Sequence, residues 1–178
     1  MRSILGLLLV CLLVPAGCRR WPEWYAPPEQ RPTFTGEEPK PVVSQMFRMG
    51  DANVAQYLVR DVADGPAGAG WRWVYKRPEF RFLVADIVGL RYFMEFALPE
   101  QTFSQTGPVT FSIFINEKPF KKMRFTRPGQ MRLEEPVPST MLKRYAVNHV
   151  AVEVDPVWVA PTDGAKLGFI LSSAGFCK

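Results

Sequence analysis

The chain has 178 residues, 47% of them hydrophobic and 22% charged, with a formal net charge of +5. That balance describes one folded domain and excludes a disordered or collagen-like chain. One His excludes a multi-His metal centre, and three Cys, two of them in the first eighteen residues, exclude a disulfide-stapled scaffold.

The N-terminus begins with a charge and a short apolar run. Arg2 supplies a positive start, and residues 4–14 form an uninterrupted apolar run. The run is shorter than the about 20 residues a spanning helix needs, so it reads as the core of a secretory signal. Pro15, Ala16, Gly17 and Cys18 follow. Ala16-Gly17-Cys18 resembles the lipobox of bacterial lipoproteins, with Pro15 departing from the usual Leu. The resemblance implies cleavage before Cys18 and lipid on its sulfur. In that family an Asp after the Cys marks inner-membrane retention. Arg19 stands there instead, which favours the outer membrane and a periplasmic or cell-surface location. The remaining basic residues are spread along the chain. An exported protein with that mild charge is not expected to bind nucleic acid.

Residues 1–17 are therefore expected to be the signal peptide and 18–41 the anchor and tether. Pro22, Pro27, Pro28, Pro32, Pro39 and Pro41 crowd the tether. Proline removes backbone donors, so the segment favours an extended form at about 3.1 Å per residue. Trp21, Trp24 and Tyr25 either sit at the headgroup level or pack back on the domain.

The domain is expected over 42–178. Residues 42–62 read as one helix before the sandwich. Asp51 can cap it, and Val54, Leu58 and Val62 recur at i, i+4 and i+8. Residues 63–70 form a Gly-rich loop without the Lys-Ser/Thr that a phosphate loop requires. Then come short alternating runs. Trp71, Trp73 and Tyr75 share a face, and one of the two Trp is expected in the core. Runs at 80–84, 92–98, 109–115, 118–126, 130–134, 149–155 and 166–172 follow, the last apolar enough for a central strand. Pairing Phe111 with Met123 and Val109 with Phe125 requires a three-residue loop or a bulge near 115–118. Ser139 is expected to cap a single helical turn. About eight strands at turn-separated spacing predict a mainly β fold, an antiparallel, jelly-roll-like β-sandwich.

The rhythm of Arg72-Trp73, of 109–115 running into Asn116, of Arg127-Pro128-Gly129, of Pro136-Val137-Pro138, and of 159–164 leading to Leu167-Gly168-Phe169 is similar to small bacterial β-sandwich modules of envelope and glycosyltransferase-associated proteins. The resemblance covers 70–176. It implies a mostly non-catalytic module, of a kind suspected of touching saccharides.

The residues themselves carry little sign of catalysis. His149 is the only His and is expected exposed at a strand start, no Gly-x-Ser-x-Gly elbow is present, and Cys177 lacks a partner base. Glu95, Glu134, Glu135, Glu153, Asp155 and Asp163 could in principle pair as carboxylates, but seventeen acids always offer some pair. No Asp-rich loop suggests Ca²⁺, and no metal or cofactor is implied. Exposed aromatics are the better lead, because sugar faces stack on rings. Trp158, Trp71 and Trp73, with Asp163, are the candidate ligand-binding residues, Asp163-Gly164 being first a turn. Lys121, Lys122, Arg124 and Arg127 form a basic edge that discourages strand pairing, with contact to anionic glycan or lipid headgroups as the second reading. The expectation is a non-catalytic, lipid-anchored module contacting saccharide. The alternative is a structural or assembly lipoprotein with a protein partner in the envelope.

Overall fold

The computed structural model describes residues 43–66 and 68–178. The expected signal peptide, Cys18, the aromatic residues beside it and the tether to residue 41 lie outside the described residues.

The strands in chain order are β1 (Met46–Arg48), β2 (Leu58–Val62), β3 (Arg72–Val84), β4 (Arg91–Leu98), β5 (Val109–Ile115), β6 (Lys118–Phe125), β7 (Gly129–Pro136), β8 (Ala146–Asp155), β9 (Trp158–Val159), β10 (Lys166–Leu167) and β11 (Phe169–Cys177). One α-helix, α1 (Glu100–Thr106), joins β4 to β5. The main sheet runs β6-β5-β8-β3-β11-β4-β7, with β1 added on β11 and β2 on β3, while β9 and β10 form a separate ribbon. Every pairing is antiparallel.

The thirteen-residue β3 belongs to two layers. Its start pairs β11, Trp73 opposite Ile170, and its end pairs β8, Phe82 opposite Asn148. The sheet thereby curls on itself. Lys121 of β6 and Glu135 of β7, at opposite ends of the strand order, meet at 3.1 Å. The result is the jelly-roll-like sandwich that the strand rhythm predicts.

Alternation fills the space between the layers. Val109, Phe111, Ile113 and Ile115 of β5 are buried, as are Val150, Val152 and Val154 of β8. Phe96, Phe111, Phe125 and Phe169 form one ring cluster, with Phe111 and Phe169 centroids 4.7 Å apart. Phe47, Tyr57, Phe82, Phe176 and Tyr92 form a second. Burying rings of this size dominates the energetics of a small sandwich. Burial pushes the Tyr92 phenol well above its ordinary range.

Several expectations need correction. No helix occupies the described part of 42–62. The chain there is β1, a single 3-10 turn at Val54–Gln56, and β2. The spacing of Val54, Leu58 and Val62 is four, which satisfies a period of two as well as one of 3.6. Asp51 caps no helix; its Oδ2 accepts the Arg48 N–H at 2.8 Å in the turn after β1. Neither Trp71 nor Trp73 is core. The inward face of β3 carries Val74, Phe80, Phe82 and Val84, which places the odd-numbered residues outside.

At the β5–β6 connection the bulge alternative holds: the turn itself is two residues, Asn116 and Glu117 at φ 50° and 67°. The expected partners Phe111–Met123 and Val109–Phe125 are present, and the extra residue is taken up by a bulge opposite Ile113/Phe114. The run 166–172 is two strands separated at Gly168, where a Cβ would lie 2.7 Å from the Tyr75 carbonyl oxygen. Ser139 begins a 3-10 turn, but Pro138 occupies the capping position and no side-chain cap forms.

Candidate functional site

The outer face of β3, β11, β4 and β7 carries side chains that the core does not use. Register sets them in rows. Trp73 lies opposite Ile170, Ile170 opposite Ala97, and Ala97 opposite Gln130. One step along, Glu95 lies opposite Arg132. The register of β11 shifts between Leu171 and Ser173, so both Ser172 and Ser173 stand near Glu95. A cleft of about 630 Å³ opens over these rows, lined by Trp71, Glu95, Gln130, Arg132, Ile170 and Ser172 among others.

Trp71 precedes β3 and is 54% exposed. Its ring offers a flat apolar surface to the cleft. Beside it, among apolar side chains, lie polar groups joined to one another by hydrogen bonds. Glu95 accepts the Arg132 Nη1 donor at 2.9 Å and the Ser173 hydroxyl at 2.8 Å. Arg132 also donates from Nε and Nη2 to Glu134 Oε2, at 3.2 and 3.0 Å, and its guanidinium covers the Phe93 ring at 5.4 Å. Glu134 in turn accepts the Arg91 Nε donor at 2.9 Å. The Arg132 hydrogen bonds, seconded by Arg91, hold the Glu134 carboxyl below the usual glutamate range, and the same contacts raise Arg132. A ladder of alternating charge thus crosses the strands with its geometry already set.

A flat ring beside fixed donors and acceptors suits a ligand with an apolar face and a rim of hydroxyls. Among the described residues Glu95 is the one carboxylate lining the cleft, and it is engaged on both oxygens.

Of the residues singled out in the sequence, Trp71 lines the cleft. Trp73 sits half-buried on the same face. Trp158 and Asp163 do not line it. Trp158 begins β9, pairs with Leu167, and donates its indole N–H to Gln105 at 2.8 Å. Asp163 Oδ1 accepts the Ala165 N–H at 3.0 Å, closing a turn. His149 lies in mid-strand against Glu79, Nδ1 to Oε1 2.9 Å, and Glu79 also pairs Arg60 at 2.7 Å. Cys177 is half-buried and in no disulfide. Among the described residues no cluster of His, Cys, Asp and Glu is arranged to hold a metal.

Arg132, Gln130 and Ser172 went unsingled in the sequence. The alternation of Arg132 with Glu134 along a strand was visible there, but the opposition of Arg132 to Glu95 arises only when β7 pairs β4.

No protein-family model matches the chain, and no curated protein sequence matches it. Solved structures do. A family 35 carbohydrate-binding module from an environmental isolate is 9% identical, with TM-score 0.42 over 75% of this chain and 92% of that one. A CBM35 from Paenibacillus barcinonensis is 11% identical, with TM-score 0.39 over 75% and 98%. A GH115 4-O-methyl-alpha-glucuronidase with specificity for decorated arabinogalactans is 9% identical, with TM-score 0.46 over 76% of this chain. The chain spans only 18% of that enzyme's length. What these proteins bind or cleave is a property of those proteins.

Proposed function

We propose that this protein is a lipid-anchored envelope protein whose sandwich binds saccharide at the Trp71 cleft without transforming it. The observation that carries the binding reading is the exposed Trp71 ring beside the Glu95–Arg132 pair in an open cleft. A sugar ring stacked on Trp71 would meet charge-assisted hydrogen bonds from groups already fixed, so little ordering would be lost on binding. The anchor reading rests on Ala16-Gly17-Cys18 after a charged start and a short apolar run. The chain resembles, in fold, modules named for carbohydrate binding.

The test is a glycan array probed with the protein and its Trp71→Ala variant. Retention on one glycan class, lost in the variant with the fold intact, supports the proposal. Equal retention by both proteins removes the cleft from it.

One observation favours a second reading. Leu83 and Val147 lie opposite each other on an outer face, 43% and 41% exposed, with Tyr145, 71% exposed, two residues before Val147. That apolar surface suits a protein partner in the envelope. A blank array together with co-purification of a membrane complex would favour it.

A further inference from the structure

A second groove of about 620 Å³ adjoins the Trp71 cleft and shares Gln130, Met131 and Arg132 with it. It lies at the β6–β7 corner, where β6 ends at Phe125 and β7 begins at Gly129. Its floor is Phe125 and Met131, both half-buried against the core. Its walls are Arg124, Arg127 and Arg132 with Thr126, and among the described residues no carboxylate lines it.

The three arginines are not equivalent. Arg132 is compensated by Glu95 and Glu134. Arg124 and Arg127 form no ion pair among the described residues. β6 also carries Lys118 and Lys122 without an ion pair, but only Arg124 and Arg127 of these unpaired charges line the groove. A strand edge needs charge only to repel another strand. It does not need two uncompensated guanidinium groups around a groove that continues a ligand cleft.

We propose that this groove is a phosphate subsite of the glycan-binding face, and that the preferred ligand is a phosphorylated saccharide. The inference rests on the saccharide reading of the Trp71 cleft. Two unpaired guanidinium groups match a phosphate monoester, which carries about −1.5 to −2 charges at neutral pH. A carboxylate would satisfy only one of them. Guanidinium presents paired N–H donors to phosphate oxygens, and the Thr126 hydroxyl and Gln130 amide add further donors. The sugar would lie over Trp71, with its phosphate past the Gln130–Arg132 ridge.

The experiment compares binding to a phosphomonoester-bearing mannan and to the same mannan after phosphatase treatment. The proteins are the wild type, Trp71→Ala and the double variant Arg124→Gln/Arg127→Gln. All these side chains are exposed, and melting curves check that each variant folds. The inference expects at least tenfold tighter retention of the phosphorylated polymer by the wild type. That preference disappears in the double variant and shrinks in 0.5 M salt, where exposed charges are screened. Equal binding of both polymers, lost in Trp71→Ala, overturns the phosphate subsite and leaves the saccharide cleft standing. A phosphate preference indifferent to Trp71→Ala keeps the subsite and removes the cleft. Binding of neither polymer overturns the inference. So does equally strong, arginine-dependent binding to phosphatidylglycerol vesicles, because the patch would then serve a lipid surface.

Discussion

Asn148 is fully buried, and its amide is fully employed. Its Nδ2 donates to the carbonyls of Lys143 and Ala146, at 2.9 and 3.0 Å, and its Oδ1 accepts from Lys143 N and Asn116 Nδ2, at 2.7 and 2.9 Å. Asn116 also donates to the Met141 carbonyl and accepts the His149 N–H. One buried amide thus ties the β5–β6 turn to the loop before β8. Asn148→Ala strands buried donors and acceptors and is expected to cost about 1–3 kcal/mol for the groups left unpaired. Urea unfolding would read this as a lower midpoint, and an unchanged midpoint would contradict it. At this scale the core was legible, since Phe111 and Ile113 follow from alternation alone. The Asn148 network was not, because its partners come from separate loops. Trp71 was legible as an aromatic of interest, but the inward face of β3 was set by Phe80, Phe82 and Val84 further along.

Most strands were legible as elements because a half-buried strand writes its period into the sequence. β2 was not, because Leu58 and Val62 sit four residues apart and fit a helix as well, and β1, at three residues, is too short to show a period. α1 went unread despite Pro99 before it, Glu100 in its first turn and Gly107 at φ 73° after it. A seven-residue helix between strands offers too few turns to display a period. The contact of β1 with β11 is close. A Cβ on Gly175 would stand 2.5 Å from the Gln45 oxygen and from Met46 Cα. Gly175→Ala must push β1 away and is expected to cost about 1–3 kcal/mol, as overpacking does. The readout is thermal melting together with faster amide exchange in β1. The ion pairs around Glu134 give a pH signature. Glu134 has its carboxyl depressed by Arg132 and Arg91. Its stabilisation is therefore complete above the ordinary glutamate value of 4.5 and fades as pH falls through its lower folded value. Glu134→Gln is expected to melt below the wild type at pH 7, with the gap closing toward pH 3. A gap constant across that range would contradict the assignment.

At the scale of the molecule, the sandwich was readable as a class, but the order β6-β5-β8-β3-β11-β4-β7 was not. The cleft draws Trp71, Glu95, Gln130, Arg132 and Ser172 from four separate segments, and nothing local in the sequence announces that they meet. The proposed export and anchor signal, by contrast, rests on a local pattern of residues, and it makes a whole-molecule prediction. The mature N-terminal peptide is expected to begin at Cys18 and to carry acyl mass. Mass spectrometry showing an unmodified Cys18 within a longer peptide would contradict the anchor. The binding account is tested most directly by following the tryptophan indole resonances by NMR while the best glycan from an array is titrated in. The account predicts that the Trp71 signal, identified by its loss in Trp71→Ala, shifts most and saturates, while Trp158, held by Gln105, stays in place. A saturating shift at Trp158 with Trp71 unmoved would contradict it.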